Sequence, residues 1–239
     1  MKRLVRILVW PLLWPLLLLE SLGCDDVPQP FDLDHARVMG VQIEPPAIPA
    51  EAIARVAVLV TDSTEMPRVA APAELAITLP AGIPSPELAA LITVTPEGWQ
   101  VQAPPAETLA AIRAALGLAA DAELVVPLEL AIETADGTLR AQKTITLGAS
   151  AANPAAPTIT LDGAVAPIAL REGTDATLGV TAPDPALTYR WFSSVGDLVG
   201  FTRAEARVEP AAPGAGSIVL VVRDERGGTA WTFAAANVE

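Results

Sequence analysis

The chain has 239 residues, of which 51% are hydrophobic and 18% charged, and its formal net charge at pH 7 is −13. This length accommodates one large domain or two domains of about 100 residues each. The acidic balance argues against nucleic acid as a partner, because binding a phosphate backbone requires clustered lysine and arginine. With one cysteine the chain forms no internal disulfide, so its hydrophobic core must stabilise the fold.

The first 23 residues have the organisation of an export signal. Three basic residues among the first six precede an apolar run over 7–19, which two prolines interrupt. A membrane-spanning helix needs about 20 consecutive apolar residues, so this shorter run is more typical of the core of a signal peptide. Gly23 and then Cys24, the only cysteine, follow directly.

Gly23 and Cys24 resemble the end of the bacterial lipoprotein signal, in which a small residue precedes the modified cysteine. The resemblance implies that residues 1–23 are removed and that Cys24 carries a diacylglyceryl thioether and an acylated amino group. Two or three acyl chains on one residue would give stable anchoring, which a single chain does not. The implied location is the cell envelope, at the outer membrane or at the periplasmic face of the inner membrane. An ordinary cleaved signal that leaves a free cysteine, and an uncleaved anchor helix, are the alternatives.

Residues 24–37 predict an acidic, flexible tether. They contain four aspartates and two prolines, and their apolar residues follow no regular period. At about 3.3–3.6 Å per residue, such a segment reaches up to ~45 Å from the membrane. The only histidine, His35, lies in this segment. A catalytic base must be held within hydrogen-bond reach of its nucleophile, so this position argues against a hydrolase triad.

A first β-sandwich is predicted over residues 38–148. Its last two strands, over 124–134 and 139–147, flank an Asp-Gly pair that is a strong hairpin signal. One stretch has helical periodicity instead and predicts a short amphipathic helix over 106–117, closed by Gly117. The remaining apolar alternation predicts strands over 38–43, 54–61, 75–79, 91–95 and 99–102.

Residues 149–157, rich in alanine and proline, predict a linker, and residues 158–239 predict a second β-sandwich. The segment 189–191, Tyr-Arg-Trp, and the apolar hairpin over 216–229 resemble immunoglobulin-like domains of bacterial surface proteins, with a leaning to the polycystic-kidney-disease (PKD) type. The resemblance implies that Trp191 is a core residue, and it extends more loosely to the first module. The predicted fold class is therefore all-β, with two tandem immunoglobulin-like sandwiches.

Aromatic side chains are the candidate ligand contacts. Trp99 and Phe201 lie outside the predicted core pattern and could stack on the apolar faces of sugars. Trp191, Trp231 and Phe233 alternate along predicted strands and are interpreted as core residues.

No metal site and no cofactor are predicted. Zinc requires clustered cysteine and histidine, and the chain has one of each. Calcium requires several oxygen ligands, for which Asp184 and Asp224 in predicted loops are candidates. Neither belongs to an Asp-x-Asp-x-Asp-Gly loop, so both are interpreted as solvated turn carboxylates.

The sequence thus predicts a non-catalytic protein, held to a membrane through Cys24, that acts as a surface spacer or as a protein-binding and adhesion module. Exposed edge strands of the sandwiches would bind a protein partner of the envelope by β-augmentation. The alternative is a lipoprotein that binds carbohydrate or peptidoglycan through Trp99 or Phe201.

Overall fold

The computed structural model of the chain describes residues 29–62, 66–80, 88, 91–165 and 167–239. Cys24 and the export signal lie outside these residues. Within the described residues, no helix has the length and apolarity that crossing a membrane requires. The described chain is all-β apart from short helical segments, as the sequence predicted.

The amino-terminal half is a two-sheet sandwich. One sheet has the strand order β1-β3-β7-β6, with β4 also paired to β3, and the other has the order β2-β9-β8-β5. Alternate residues of both sheets, such as Val58, Leu128 and Ile145, are fully buried between them. The strands are β1 (Arg37–Glu44), β2 (Ala47–Ile48), β3 (Ile53–Thr61), β4 (Arg68–Val69), β5 (Leu75–Thr78), β6 (Ile92–Thr95), β7 (Gly98–Gln102), β8 (Leu124–Thr134) and β9 (Gly137–Leu147).

The carboxy-terminal half is a second two-sheet sandwich. Its sheets have the orders β10-β12-β15-β14 and β11-β17-β16-β13. Trp191 is fully buried in its core beside Leu178 and Leu220, and the indole Nε1–H donates to the carbonyl oxygen of Arg203 at 2.8 Å. The strands are β10 (Ile159–Leu161), β11 (Ile168–Leu170), β12 (Ala176–Val180), β13 (Thr188–Ser193), β14 (Gly196–Val199), β15 (Ala206–Pro210), β16 (Gly214–Arg223) and β17 (Thr229–Val238).

Turn chemistry and helical period set two local features of the first module. Strands β8 and β9 pair from Leu124 opposite Leu147 to Thr134 opposite Gly137, which leaves a two-residue turn between them. The predicted hairpin is confirmed. The predicted helix is also present, as α1 (Ala106–Ala115), but it ends before Leu116. Leu109 is buried against the core, whereas Leu116 is exposed because it lies beyond the last helical turn.

The structure differs from the predicted flexible tether over residues 29–37. Phe31 is buried in the second core, where its ring lies 5.4 Å from that of Phe201. The amide of Ser193 donates to the Phe31 carbonyl at 2.9 Å, and the amide of Leu33 donates to the Ser193 carbonyl at 3.1 Å. The segment therefore runs parallel to β13 and covers its edge. The buried Phe31 and Leu33 alternate with Asp32 and Asp34, which are more exposed.

Candidate functional site at the module junction

The two sandwiches meet face to face through a third apolar cluster, here called the junction. From the first module and its preceding segment come Leu33, Met39 and Leu59, all buried. They pack on one outer face of the sheet that contains β13, β16 and β17. This face contributes the side chains of Phe192, Val219, Val221 and Trp231.

A β-bulge in β1 directs Met39 into the junction. Val38 pairs with Val60 and Gly40 pairs with Leu59, so one extra residue is inserted between the two pairs. Val38 and Val60 contact the first core, whereas Met39 and Leu59 contact the second module. The bulge thus lets Met39 and Gly40 point to the same side of the sheet.

Gly40 sets how closely the modules approach. A Cβ atom at this position would lie 3.2 Å from Cε3 of Trp231 and 3.4 Å from Cγ1 of Val221. The indole of Trp231 therefore rests against the backbone of β1. A side chain at position 40 would require the Trp231 ring to move by at least a few tenths of an ångström.

Polar contacts to Thr229 surround the apolar part of the junction. Thr229 is fully buried, and each of its three polar groups bonds to another part of the chain. Its amide donates to Oδ1 of Asn153 at 2.8 Å, its carbonyl accepts from Nε2 of Gln42 at 2.9 Å, and its hydroxyl accepts from Nζ of Lys143 at 2.7 Å. Because three different segments converge on one residue, the relative orientation of the modules is fixed by directional bonds.

Asn153 extends these contacts into the predicted linker. Its Nδ2 donates to the Ile43 carbonyl at 2.8 Å and also to the Glu44 carboxylate. Residues 149–157 lie between the two sandwiches, and Asn153 bonds to both of them. This part of the linker is a structural element of the junction.

An open cleft of about 460 Å³ lies beside the junction. Its walls are formed by β1, β8 and β9 of the first module and by the end of β16, through residues that include Val38, Pro127 and Gln142. Three cationic side chains line it, those of Arg140, Lys143 and Arg223. None of the residues that line the cleft is acidic.

The cations of the cleft influence one another. Burial, together with repulsion from Arg223, lowers the pKa of Lys143 to about 8. Burial, with a smaller effect of repulsion from Arg190, lowers the pKa of Arg223. Burial also lowers the pKa of Arg37, where attraction from Asp32 and Asp34 opposes the change and repulsion from Arg190 adds to it. Cationic side chains thus follow one another along the junction, from Arg37 at the start of β1 to Lys143 on β9.

The two aromatic candidate residues from the sequence lie in different modules. Trp99 is partly buried against the first core, and its indole N–H donates to the Pro72 carbonyl at 3.1 Å. Phe201 is partly buried against the second core, between Phe31 and the guanidinium of Arg190, whose Cζ lies 5.4 Å from the ring centroid. The structure does not bring Trp99 and Phe201 together into one aromatic face.

Two residues of the predicted core lie elsewhere. Trp231 packs in the junction instead of the second core, and Phe233 on the same face is 47% exposed. Trp231 and Phe233 do share one face of β17, but this is the outer face of the sheet and not the face that borders the second core. Ala230 and Ala236, on the opposite face, are the residues that fill the second core.

The candidate titratable residues are engaged in local bonds. Nδ1 of His35 lies 2.7 Å from the Asp34 carboxylate, and Nε2 accepts from the Arg37 guanidinium. The Asp184 carboxylate accepts from the amide of Ala186, and that of Asp224 accepts from two amides of its own turn. Among the described residues, no three His, Cys, Asp or Glu side chains form a group that could hold a metal ion.

The sequence analysis missed the cationic cleft. A signal for it was present on β9, where Leu139, Ala141, Ile145 and Leu147 all face the first core. Lys143 occupies the same register as these residues and interrupts an otherwise apolar stripe. A lysine at an inward-facing position requires acceptors at the end of its side chain, and these come from the second module.

Comparisons with known proteins give structural similarities alone. No protein-family model matches the chain, and no curated protein matches it. The chain is similar to the amino-terminal Ig1-2 module of the Drosophila receptor protein tyrosine phosphatase DLAR, with 13% identity and a TM-score of 0.30, over 86% of this chain and 99% of that one. It is similar to the PKD domain from KIAA 1837 protein, with 19% identity and a TM-score of 0.29, over 38% of this chain and 92% of that one.

A third similar structure is a nucleoside hydrolase-related hypothetical protein from Saccharophagus degradans that is associated with carbohydrate metabolism. The identity is 24% and the TM-score 0.27, over 37% of this chain. The chain spans only 26% of the length of that protein. The description of two β-sandwiches therefore rests on the sheets of this chain and not on these similarities.

Proposed function

We propose that this chain is a non-catalytic, lipid-anchored protein of the bacterial cell envelope whose two modules act as one rigid spacer and protein-binding unit. The observation that carries the proposal is the junction. Buried Met39 and Trp231 packed against Gly40 give it an apolar centre, and Thr229 adds hydrogen bonds from three segments. A rigid pair of modules suits a protein that holds a binding surface at a fixed position.

The segment before β1 limits the distance between this unit and the membrane. Because Phe31 and Leu33 pack on the second module and Arg37 donates to the carbonyls of Gln29 and Pro30, the length of chain from Cys24 to Gln29 sets the upper limit of this distance. Five residues span at most about 18 Å, well below the ~45 Å of a fully flexible tether. On this proposal the second module lies close to the bilayer, and a partner is met at a nearly constant height.

Two edge strands support the protein-binding part of the proposal. Strand β6 ends one sheet of the first module and carries Val94, which is 59% exposed. Strand β14 ends one sheet of the second module and carries the exposed Val199. An edge with unpaired backbone groups and an exposed β-branched side chain is the surface that β-augmentation uses. The edge of β13 is less available, because residues 31–33 cover it.

The lipid anchor is tested by replacing Cys24 with serine in the native host. We expect the wild-type protein to incorporate radiolabelled palmitate and to sediment with membranes, and Cys24→Ser to lose the label and to enter the soluble fraction. Ser21→Ala is the control and should behave like wild type. Unlabelled wild-type protein, with membrane retention unchanged in Cys24→Ser, would refute the anchor.

A further inference from the structure

The cationic cleft has a charge opposite to that of the rest of the protein. The chain has 28 acidic and 15 basic residues, yet the cleft is lined by Arg140, Lys143 and Arg223 and by no carboxylate. Asp224 attracts the ammonium group of Lys143. Its carboxylate also accepts hydrogen bonds from the amides of Arg226 and Gly228. The positive charge of the cleft is therefore only partly balanced by nearby residues.

Several donors in the cleft remain available. Nζ of Lys143 donates to the Thr229 hydroxyl and the Gly227 carbonyl, which leaves one of its three N–H groups. Arg223 uses Nη2 to donate to the Met39 carbonyl at 3.1 Å. The side chain of Arg140 has no hydrogen-bond or ion-pair partner within the described part of the chain. Lys143 and Arg223 thus also hold the junction together, whereas Arg140 has no such structural role.

We propose that the junction cleft binds a small ligand through an oxyanion, a carboxylate or a phosphate group, held by Lys143 and Arg223, with Arg140 on the other face of β9 adding positive charge to the cleft. Guanidinium and ammonium groups form charge-assisted hydrogen bonds to such oxygens, and arginine can bind them in a bidentate manner. A cleft of about 460 Å³ is in the size range of small-molecule sites. An anion here would offset the repulsion between Lys143 and Arg223, because each of them would gain an opposite charge. This proposal does not depend on the lipid anchor.

The distribution of lysines provides a direct probe. Lys2 and Lys143 are the only two lysines of the chain. With ¹³C-labelled lysine, the full chain in a micelle of uncharged detergent gives two Cε signals, and Lys143→Arg identifies the one from the cleft. Inorganic phosphate and acetate are titrated separately in Tris chloride, with ionic strength held constant by sodium chloride.

We expect at least one of these anions to shift the Lys143 signal in a saturable manner and to leave Lys2 unchanged. The bound anion should also raise the midpoint of the Lys143 titration with pH. Saturation by phosphate alone assigns a phosphate ligand, and saturation by acetate assigns a carboxylate. If neither anion shifts the signal saturably, the proposal is overturned.

Arg140→Gln separates binding from the structure of the junction, since the Arg140 side chain bonds to no described residue. We expect it to weaken binding of the effective anion by about two- to fivefold, which is the usual effect of losing an exposed charge near an opposite one. The matched control is Arg171→Gln, an exposed arginine outside the cleft, which should leave the affinity unchanged. Equal affinities in the two variants would also overturn the proposal.

Discussion

Replacing Gly40 with valine tests the close approach of the two modules, and the physical effects at this position have opposite signs. In an isolated strand, valine in place of glycine is favourable by up to about 1 kcal/mol, because glycine loses more backbone entropy and packs no side chain. At the junction the new Cβ would lie 3.2 Å from the Trp231 ring, and valine adds two further methyl groups. Overpacking of this kind costs about 1–3 kcal/mol.

The two effects together should lower the free energy of unfolding of Gly40→Val by between about 0 and 3 kcal/mol. The measurement is urea denaturation followed by circular dichroism and tryptophan fluorescence. Ala235→Val is a suitable control, because Ala235 is exposed on β17 and its substitution should change stability by no more than about 0.5 kcal/mol. If Gly40→Val were more stable than wild type by about 1 kcal/mol, the gain expected in an isolated strand would be unopposed, Trp231 would not rest on β1, and our description of the junction would be refuted.

Two further predictions concern the second core and the cleft. Trp191→Ala should cost about 3–5 kcal/mol, because it removes a fully buried ring and leaves the Arg203 carbonyl without its donor, and a melting temperature equal to wild type would contradict this. The pKa of Lys143, about 8 in the fold against 10.5 unfolded, means that the unfolded chain binds more protons in this range. The free energy of unfolding should therefore rise by about 1–3 kcal/mol from pH 8 to 10.5. Lys143→Gln should abolish this rise, and a rise of the same size in that variant would show that another group causes it.

Local features of the fold could be predicted from the sequence. The Asp-Gly pair between two apolar runs predicted the hairpin of β8 and β9, because its turn geometry is encoded by two residues. The burial of Trp191 followed from its alternation with Tyr189 along β13. The strand β14, which begins at Gly196 and pairs with β15, was not predicted.

The junction could not be predicted, because it depends on contacts between residues far apart in the chain. The bulge at Met39 changes which side chains face outward, and no local pattern marks it. Phe31 lies between aspartates and prolines, so composition alone predicted a flexible segment there. Trp231 lies on an outer sheet face that would be solvated in an isolated module and is covered here by β1. The tandem order was predicted, but the contact between the two sandwiches, and with it the cationic cleft, emerged only from their packing.

The central claim is that the two sandwiches form one rigid body. Residual dipolar couplings of backbone amides measure this directly, because they report the orientation of each module in a common frame. In the Cys24→Ser protein, we expect a single alignment tensor to fit the couplings of residues 37–148 and 159–239 with the module orientation described here. Two tensors of different magnitude would show that the modules move independently, and would contradict both the fixed junction and the rigid spacer.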